Sequence, residues 1–142
     1  MERCAGVLAA VSSLPANQGI GDFGRKTKMF IDQIADAGFR IWPMQPLGYG
    51  NSPYQPYSSF AGDPIFINID RLSELELLKQ SSIKNLNKFK ESVSYEEVRK
   101  FKEPYFRKAF YEFKKQFDRF EKEYQTFCAE SEWLDDYAVF IT

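Results

Sequence analysis

Histidine is absent from this sequence of 142 residues, and cysteine occurs only twice, as Cys4 and Cys128. The absence of histidine removes the commonest general base, the usual histidine-containing catalytic triads and the imidazole ligands of most zinc sites. The two cysteines lie far apart and match no metal-ligand spacing, which is typical of reduced thiols in a cytoplasmic protein. The sequence therefore predicts no metal site and no cofactor.

Long apolar runs and a large net charge are missing as well. No stretch approaches the roughly 20 apolar residues of a membrane-spanning helix, and the apolar run at residues 5–11 is short for the core of a signal peptide. A formal net charge of -1 argues against a nucleic-acid-binding protein. We expect a cytoplasmic protein with no membrane or nucleic-acid partner, and its oligomeric state stays open.

Aromatic residues, by contrast, are abundant and make up 17% of the chain. Such a composition is typical of a dense core and, less often, of platforms that stack on flat ligands. The chain changes character near residue 70: short apolar runs with glycine and proline come before it, and Lys, Glu and Phe at helical spacing follow.

The first part predicts a strand, a helix and a second strand. The run GVLAAVSSLP, residues 6–15, is typical of a buried strand that ends in a turn. The next segment, residues 25–38, predicts an amphipathic helix that ends at Gly38. FRIW at 39–42 predicts the second strand, and the alternating IFINID at 65–70 predicts a further one. This order forms a βαβ unit, whose loops lie at the carboxyl ends of its strands.

The second part predicts helices. Ser73-x-x-Glu76 and Ser94-x-x-Glu97 both match a capping box, and Pro104 suits the first turn of a helix. Aromatic side chains then recur every three or four positions, as Phe106, Phe110, Phe113, Phe117, Phe120, Tyr124 and Phe127. This aromatic stripe also fits a heptad, but bulky rings in a short repeat favour packing on the rest of the domain over a coiled coil.

The last segment, SEWLDDYAVFIT, predicts one more amphipathic helix with Ser131 as its cap. The side chains expected on its apolar face are Trp133, Tyr137, Phe140 and Ile141. Because the pattern stops at Thr142 without a polar tail, we expect the chain to be cut within or just after this helix.

The stretch GIGDFG, residues 19–24, spells the pattern G-x-G-x-x-G ahead of a helix. A dinucleotide-binding turn needs those glycines directly after the first strand and an acidic residue about 20 positions further on. Here PANQ intervenes, and no Asp or Glu lies between Asp36 and Asp63. The pattern favours a tight turn into the helix over a nucleotide site.

The most unusual stretch is GYGNSPYQPYSSFAGDP, residues 48–64, which we call the tyrosine loop. Its aromatic and polar side chains suited to a ligand are Tyr49, Asn51, Ser52, Tyr54, Gln55 and Tyr57. A sugar ring presents an apolar C–H face and a belt of hydroxyls, which flat amphipathic rings and amide or hydroxyl groups match. Prolines and glycines fix the backbone and lower the ordering cost of binding. A structural loop whose tyrosines simply pack explains the composition equally well.

The tyrosine loop, together with SSLP and GIGDFG before it and WLDDYAVF at the end, resembles the amylomaltase family. These proteins are 4-α-glucanotransferases of the α-amylase-like glycosidase clan. The resemblance runs in order over nearly the whole chain, through A-G-x-x-x-W, G-Y-G-x-S-P-Y-Q, S-x-F-A-G and V-x-Y-E-x-V-x-x-F-K-x-P. The chain departs from the family pattern between Trp42 and Gly48, where its segment is shorter.

The resemblance implies an α/β fold, the first part of a truncated (β/α)8 TIM barrel with a helical insertion subdomain. The barrel portion with its substrate-binding loop is expected in residues 1–70 and the helical subdomain in residues 71–142. Family members cut an α-1,4-glucan and pass the piece to the 4-hydroxyl of another sugar. The implied partners are therefore α-1,4-glucans and maltooligosaccharides.

The same resemblance implies roles for individual residues of the loop. Ser52 and Tyr54 would lie beside the sugar near the cleavage point, Tyr49 would lie in or near a further glucan-contact site, and Gln55 completes the substrate-binding set. Retaining transfer also needs two carboxylates about 5 Å apart, and the resemblance places both beyond residue 142.

The acidic residues of this chain do not replace that pair. Asp135 and Asp136 are adjacent on a helix and do not face each other, while Asp22 and Asp63 are typical of cap and turn positions. We expect no catalytic residue in this chain and no transferase activity from it alone. A standalone glucan-binding module, a helical interaction protein and a fragment of a related α-glucan hydrolase remain alternatives.

Overall fold

The computed structural model describes residues 3–50, 52, 54–83 and 94–142. The α-helices of these ranges are α1 (Arg25–Asp36), α2 (Ile69–Glu74), α3 (Tyr95–Lys115), α4 (Phe117–Glu130) and α5 (Leu134–Ile141). Short 3-10 helices form at Val11–Ser13, Pro64–Phe66 and Gln80–Ser82. No β-strand is assigned within the described ranges, and none of their helices is both long and apolar enough to cross a membrane.

The predicted strands at 6–15 and 39–42 are wrong as regular strands, although their pairing is present. Gly6 and Ile41 form an isolated parallel bridge, and the backbone N–H of Val7 donates to the carbonyl of Ile41 at 3.0 Å. The N–H of Ala9 also donates to the carbonyl of Pro43 at 3.3 Å. No regular strand forms, because Pro43 has no N–H to donate in return and the first segment coils into a 3-10 helix at Val11–Ser13. The two extended segments, one before α1 in the chain and one after it, therefore lie side by side and run parallel.

The predicted strand at 65–70 is also wrong. Asp63 caps the 3-10 helix Pro64–Phe66 and Asn68 caps α2, each by accepting a hydrogen bond from a backbone N–H group. The polar residue that made this stretch look alternating is thus a helix cap.

Local signals set the ends of α1 and α3. Gly38 takes φ 85° and ends α1 as predicted. Ser94 and Glu97 form the predicted reciprocal capping box of α3. Ser73 lies inside α2, so the box predicted there is wrong. Pro104 lies in the interior of α3 and not in its first turn.

Tertiary packing explains why α3 continues through its proline. An interior proline costs a helix about 3 kcal/mol, and burial on both sides of Pro104 offsets that cost. The buried residues of α3 are Val98, Lys102 and Ala109. Ala109 joins a core cluster with Ile69, Leu77 and Leu78, whereas Val98 packs with Ile20 and Ile65.

The aromatic stripe does not lie on one continuous helix, because α3 ends and α4 begins around Gln116. Phe113 lies next to this break, and its ring contacts those of Phe120 and Tyr124 at 5.5 and 6.1 Å. Phe113 and Phe120 also pack against the core cluster that contains Ala109, as expected for a stripe that covers the domain. Phe110 and Phe127 remain about half exposed.

The last helix begins differently from the prediction. Trp133 occupies the N-cap position of α5 and makes no side-chain capping bond. Ser131 is buried and contributes its backbone carbonyl, which accepts from the N–H of Leu134 at 2.9 Å. The prediction that Ser131 caps this helix with its hydroxyl is therefore wrong.

Candidate functional site

The backbone of the tyrosine loop closes on itself. Gly48 and Gly62 form an antiparallel bridge at its base, and the N–H of Tyr57 donates to the carbonyl of Tyr49 at 2.8 Å. A Cβ at Gly48 would lie 2.4 Å from Cβ of Pro56, a separation that real side chains do not adopt. Glycine is thus required where the two arms of the loop pass each other.

Ser52 organises the tip of the loop. Its backbone carbonyl accepts from the N–H of Gln55 at 3.0 Å, and its hydroxyl accepts from the N–H of Tyr54 at 3.3 Å. Ser52 also lines a cavity of about 70 Å³ that lies between the tyrosine loop and the 3-10 helix Val11–Ser13. This space is large enough for water but not for a sugar ring.

The predicted site residues differ in exposure. The ring of Tyr54 is 72% exposed and Gln55 is exposed, whereas Ser52 and Tyr49 are half-buried. The structure therefore brings these four residues into one loop but presents only two of them openly to solvent. Asn51, also noted from sequence, lies outside the described residues.

Aromatic side chains in and just before α5 contact residues 57–60 of the loop, which we call its outer arm. The ring of Phe60 stacks on Trp133 with centroids 6.0 Å apart and planes 15° from parallel. Tyr57 meets Phe140 edge to face at 6.0 Å, a geometry that aromatic quadrupoles favour. Trp133 and Phe140, two of the rings predicted for the apolar face of the last helix, thus contact the loop.

Arg99 of α3 contacts both ends of the tyrosine loop, through Asp63 and Tyr49. Its guanidinium donates to both carboxylate oxygens of Asp63 at 2.7 and 2.5 Å, and its Cζ lies 4.2 Å from the ring centroid of Tyr49. Asp63 also accepts from a backbone N–H as the cap of Pro64–Phe66. The turn role predicted for Asp63 is correct, but nothing in the sequence pattern marked Arg99 as its partner.

A buried lysine lies beneath the loop. The side chain of Lys102 is fully buried, and its ammonium donates to the carbonyls of Ile65 and Ile67 at 2.8 and 2.9 Å and to Asp22 Oδ2 at 3.2 Å. Burial lowers the pKa of Lys102 below its ordinary value, and the charge of Asp22 opposes that shift. Lys102 thereby ties α3 to the segment that leaves the tyrosine loop.

Buried polar side chains extend this network towards α1 and α2. Asp22 Oδ1 accepts from the side chain of Asn68 at 2.8 Å and from the N–H of Gly24 at 3.1 Å. Gln18 Oε1 accepts from the N–H of Ile69 at 2.9 Å. The prediction that Asp22 caps the following helix is wrong, because the N-cap of α1 is Gly24 and no side chain caps it. Asp22 is instead the counter-ion of a buried ammonium.

The acidic residues considered from the sequence have other roles in the structure. Asp22 and Asp63 are engaged with Lys102 and Arg99, while Asp135 and Asp136 lie in the first turn of α5. The described ranges do not bring together three His, Cys, Asp or Glu side chains that could hold a metal ion. What the tyrosine loop presents is a surface of tyrosine rings with an amide and hydroxyl groups.

A comparison with protein families shows which family contains this chain. A family model described as 4-alpha-glucanotransferase matches residues 9–142. The chain belongs to this family. The resemblance inferred from the sequence motifs is thereby confirmed.

Relatives named 4-alpha-glucanotransferase match along almost the whole chain. A protein of Synechocystis is 39% identical over 146 residues and is matched by 99% of this chain. A protein of Clostridium butyricum is 41% identical over 137 residues and is matched by 92% of it. The chain spans 29% and 28% of the lengths of these two relatives.

A solved structure of this family shares the fold. The amylomaltase from Streptococcus agalactiae in complex with acarbose superposes with a TM-score of 0.91 at 30% sequence identity. The superposition covers 99% of this chain and 29% of that amylomaltase chain. The arrangement of helices and loops described above is therefore the arrangement found in part of an amylomaltase.

Proposed function

We propose that this chain is the part of a 4-α-glucanotransferase that forms one wall of its glucan site. The preformed tyrosine loop carries the proposal, since it is closed by the Gly48–Gly62 bridge and presents Tyr54 at 72% exposure. A loop ordered before binding loses little conformational entropy when a sugar arrives. The acarbose complex of the S. agalactiae relative supports a sugar as the ligand of this fold.

Within that wall, each residue of the loop has a proposed task. The exposed ring of Tyr54 stacks on the C–H face of a glucosyl unit, and Gln55 beside it hydrogen-bonds the ring hydroxyls. Ser52 holds Tyr54 through the bond from its N–H and lies near the cleavage point. Tyr49 contributes to a further glucan contact from its half-buried position.

The fold proposed for the whole protein is a (β/α)8 barrel. Parallel pairing of the extended segments around α1 supports it, because a strand, a helix and a parallel strand are the repeating unit of such barrels. Residues 1–70 would form the barrel portion and residues 71–142 the helical subdomain. Leu8 and Ile41, exposed here at 77% and 47%, would face further parts of the barrel. The proposed location is the cytoplasm.

The proposed reaction is a retaining double displacement that passes a piece of an α-1,4-glucan to the 4-hydroxyl of an acceptor sugar. One carboxylate acts as nucleophile and a second as acid and base, about 5 Å apart. Asp22 and Asp63 pair with Lys102 and Arg99, and the family resemblance places the two catalytic carboxylates beyond residue 142. The 142-residue chain would then bind glucan without transferring it.

The proposal is tested by calorimetric titration of the chain with maltoheptaose. We expect binding by the wild type and a loss of about tenfold in affinity for Tyr54→Ala, equivalent to ~1.4 kcal/mol. Tyr111→Ala is the control, because Tyr111 is a largely exposed tyrosine, at 60%, on α3 and outside the loop. No binding by the wild type, or equal binding by Tyr54→Ala, would contradict the proposal.

A transfer assay separates the enzyme from a standalone binding module. The product of the source gene, read past the codon for Thr142, is incubated with maltotriose in parallel with the 142-residue chain. Longer glucans from the gene product and none from the chain are expected. Hydrolysis alone would favour a related hydrolase, and a stop codon after Thr142 would favour the binding module.

A further inference from the structure

We propose that Arg99 is a positioning residue for the tyrosine loop: anchored on Asp63, it fixes the ring of Tyr49 and, through Tyr49, the outer arm of the loop. This inference rests on the proposed function, because the loop that it stabilises is the proposed wall of the glucan site. Arg99 lies on α3, outside the loop, and it becomes part of the site only through the fold.

The anchor is a shielded ion pair with both ends fixed. The side chain of Asp63 is 4% exposed and that of Arg99 is 27% exposed, so water competes little for the two N–H···O bonds between them. Asp63 is itself fixed as the cap of Pro64–Phe66. The planar guanidinium matches a carboxylate in two-point contact, which sets the plane of the group as well as its position.

The free face of that guanidinium lies over Tyr49. Its Cζ is 4.2 Å from the ring centroid, well inside the roughly 6 Å over which a cation and an aromatic ring attract. Tyr57 meets the same ring at 5.6 Å and donates its N–H to the carbonyl of Tyr49. Tyr49 thus contacts both Arg99 and Tyr57, which links the guanidinium to the outer arm.

Lys102 makes this role separable from general stability. Its three hydrogen bonds hold α3 against the segment after the loop without any contribution from Arg99. In Arg99→Lys, an ammonium can still pair with Asp63, while the flat surface over Tyr49 and the two-point contact are lost. That variant therefore tests positioning with the charge retained.

The first measurement needs no variant of Arg99. In an NMR spectrum of the wild-type chain, the side-chain protons of Arg99 should be shifted upfield by the ring current of Tyr49, and Tyr49→Leu should abolish that shift. Unshifted Arg99 protons would overturn the inference whether or not the chain binds sugar.

The second measurement is a double-mutant cycle on maltoheptaose affinity. Arg99→Lys should weaken binding about threefold, the scale of a partly exposed cation–π contact, and should leave affinity unchanged when Tyr49→Leu is already present. Arg107→Lys is the matched control on the same helix, since Arg107 pairs with Glu103 in solvent. Arg99→Lys should lower the thermal midpoint more than Arg107→Lys does, because it loses one bond of a shielded pair and the contact with Tyr49. Both variants should remain folded at the temperature of the titration.

The outcomes distinguish this inference from the proposed function. An equal loss for Arg99→Lys in both Tyr49 backgrounds would overturn the inference, because Arg99 would then act on binding by another route. Shifted Arg99 protons in a chain that binds no maltoheptaose would contradict the proposed function itself, and the positioning role for a glucan site would fall with it.

Discussion

The base and the rim of the tyrosine loop are built from opposite materials. The base is polar and buried. There the ammonium of Lys102 donates to Asp22 and to two backbone carbonyls, and Asp63 accepts from a backbone N–H. The rim is aromatic and open, with Tyr54 and Phe60 more than two-thirds exposed. The contrast indicates that directional hydrogen bonds fix the base of the loop, whereas the rings at its edge are exposed to solvent.

The largest effect is expected from removing the ammonium of the base. Lys102→Met would leave Asp22 and the carbonyls of Ile65 and Ile67 buried without their donor, which we expect to cost about 3–5 kcal/mol of unfolding free energy. Urea unfolding followed by circular dichroism measures it. Lys100→Met is the control, because Lys100 pairs with Glu96 in solvent. A loss no larger than that of the control would contradict a stabilising base.

A smaller loss is expected where the two arms of the loop pass. Gly48→Ala places a methyl group 2.4 Å from Cβ of Pro56, and such overpacking costs about 1–3 kcal/mol. Gly62→Ala is a close control, since a Cβ there meets no atom within 4 Å. Equal urea midpoints for the two variants would show that the loop is looser than described.

The smallest change in stability is expected at the rim. Tyr54→Ala should change the free energy of unfolding by no more than about 0.5 kcal/mol, as is usual for exposed positions. The same substitution should weaken maltoheptaose binding about tenfold. A large drop in thermal midpoint for Tyr54→Ala would remove the distinction between base and rim.

Features with local causes could be predicted from the sequence. The end of α1 at Gly38 and the capping box of Ser94 and Glu97 depend on a few adjacent residues, and both are present. The error at 65–70 has a local cause too, because a cap residue such as Asn68 produces the same alternation as a strand. The prediction that Pro104 lies in the first turn of a helix is wrong, because burial of other α3 residues outweighs the preference of proline for that position.

Some features of the candidate site could likewise be predicted from the sequence, and others could not. Composition marked the tyrosine loop as unusual, and the family resemblance singled out Ser52 and Tyr54 within it. The contacts that hold the loop could not be predicted, because Lys102 and Asp22 are 80 positions apart and Arg99 and Asp63 are 36 apart. Neither periodicity nor a short motif in the sequence indicates an ion pair between residues so far apart in the chain.

The most direct test of the account is an NMR titration of the chain with maltoheptaose, followed residue by residue. We predict that amide signals of the loop tip, from Ser52, Tyr54 and Gln55, shift progressively, while those of the base around Asp22 and Lys102 stay in place. Signals that do not move at the tip, or that move throughout the base, would contradict a preformed wall for a glucan chain.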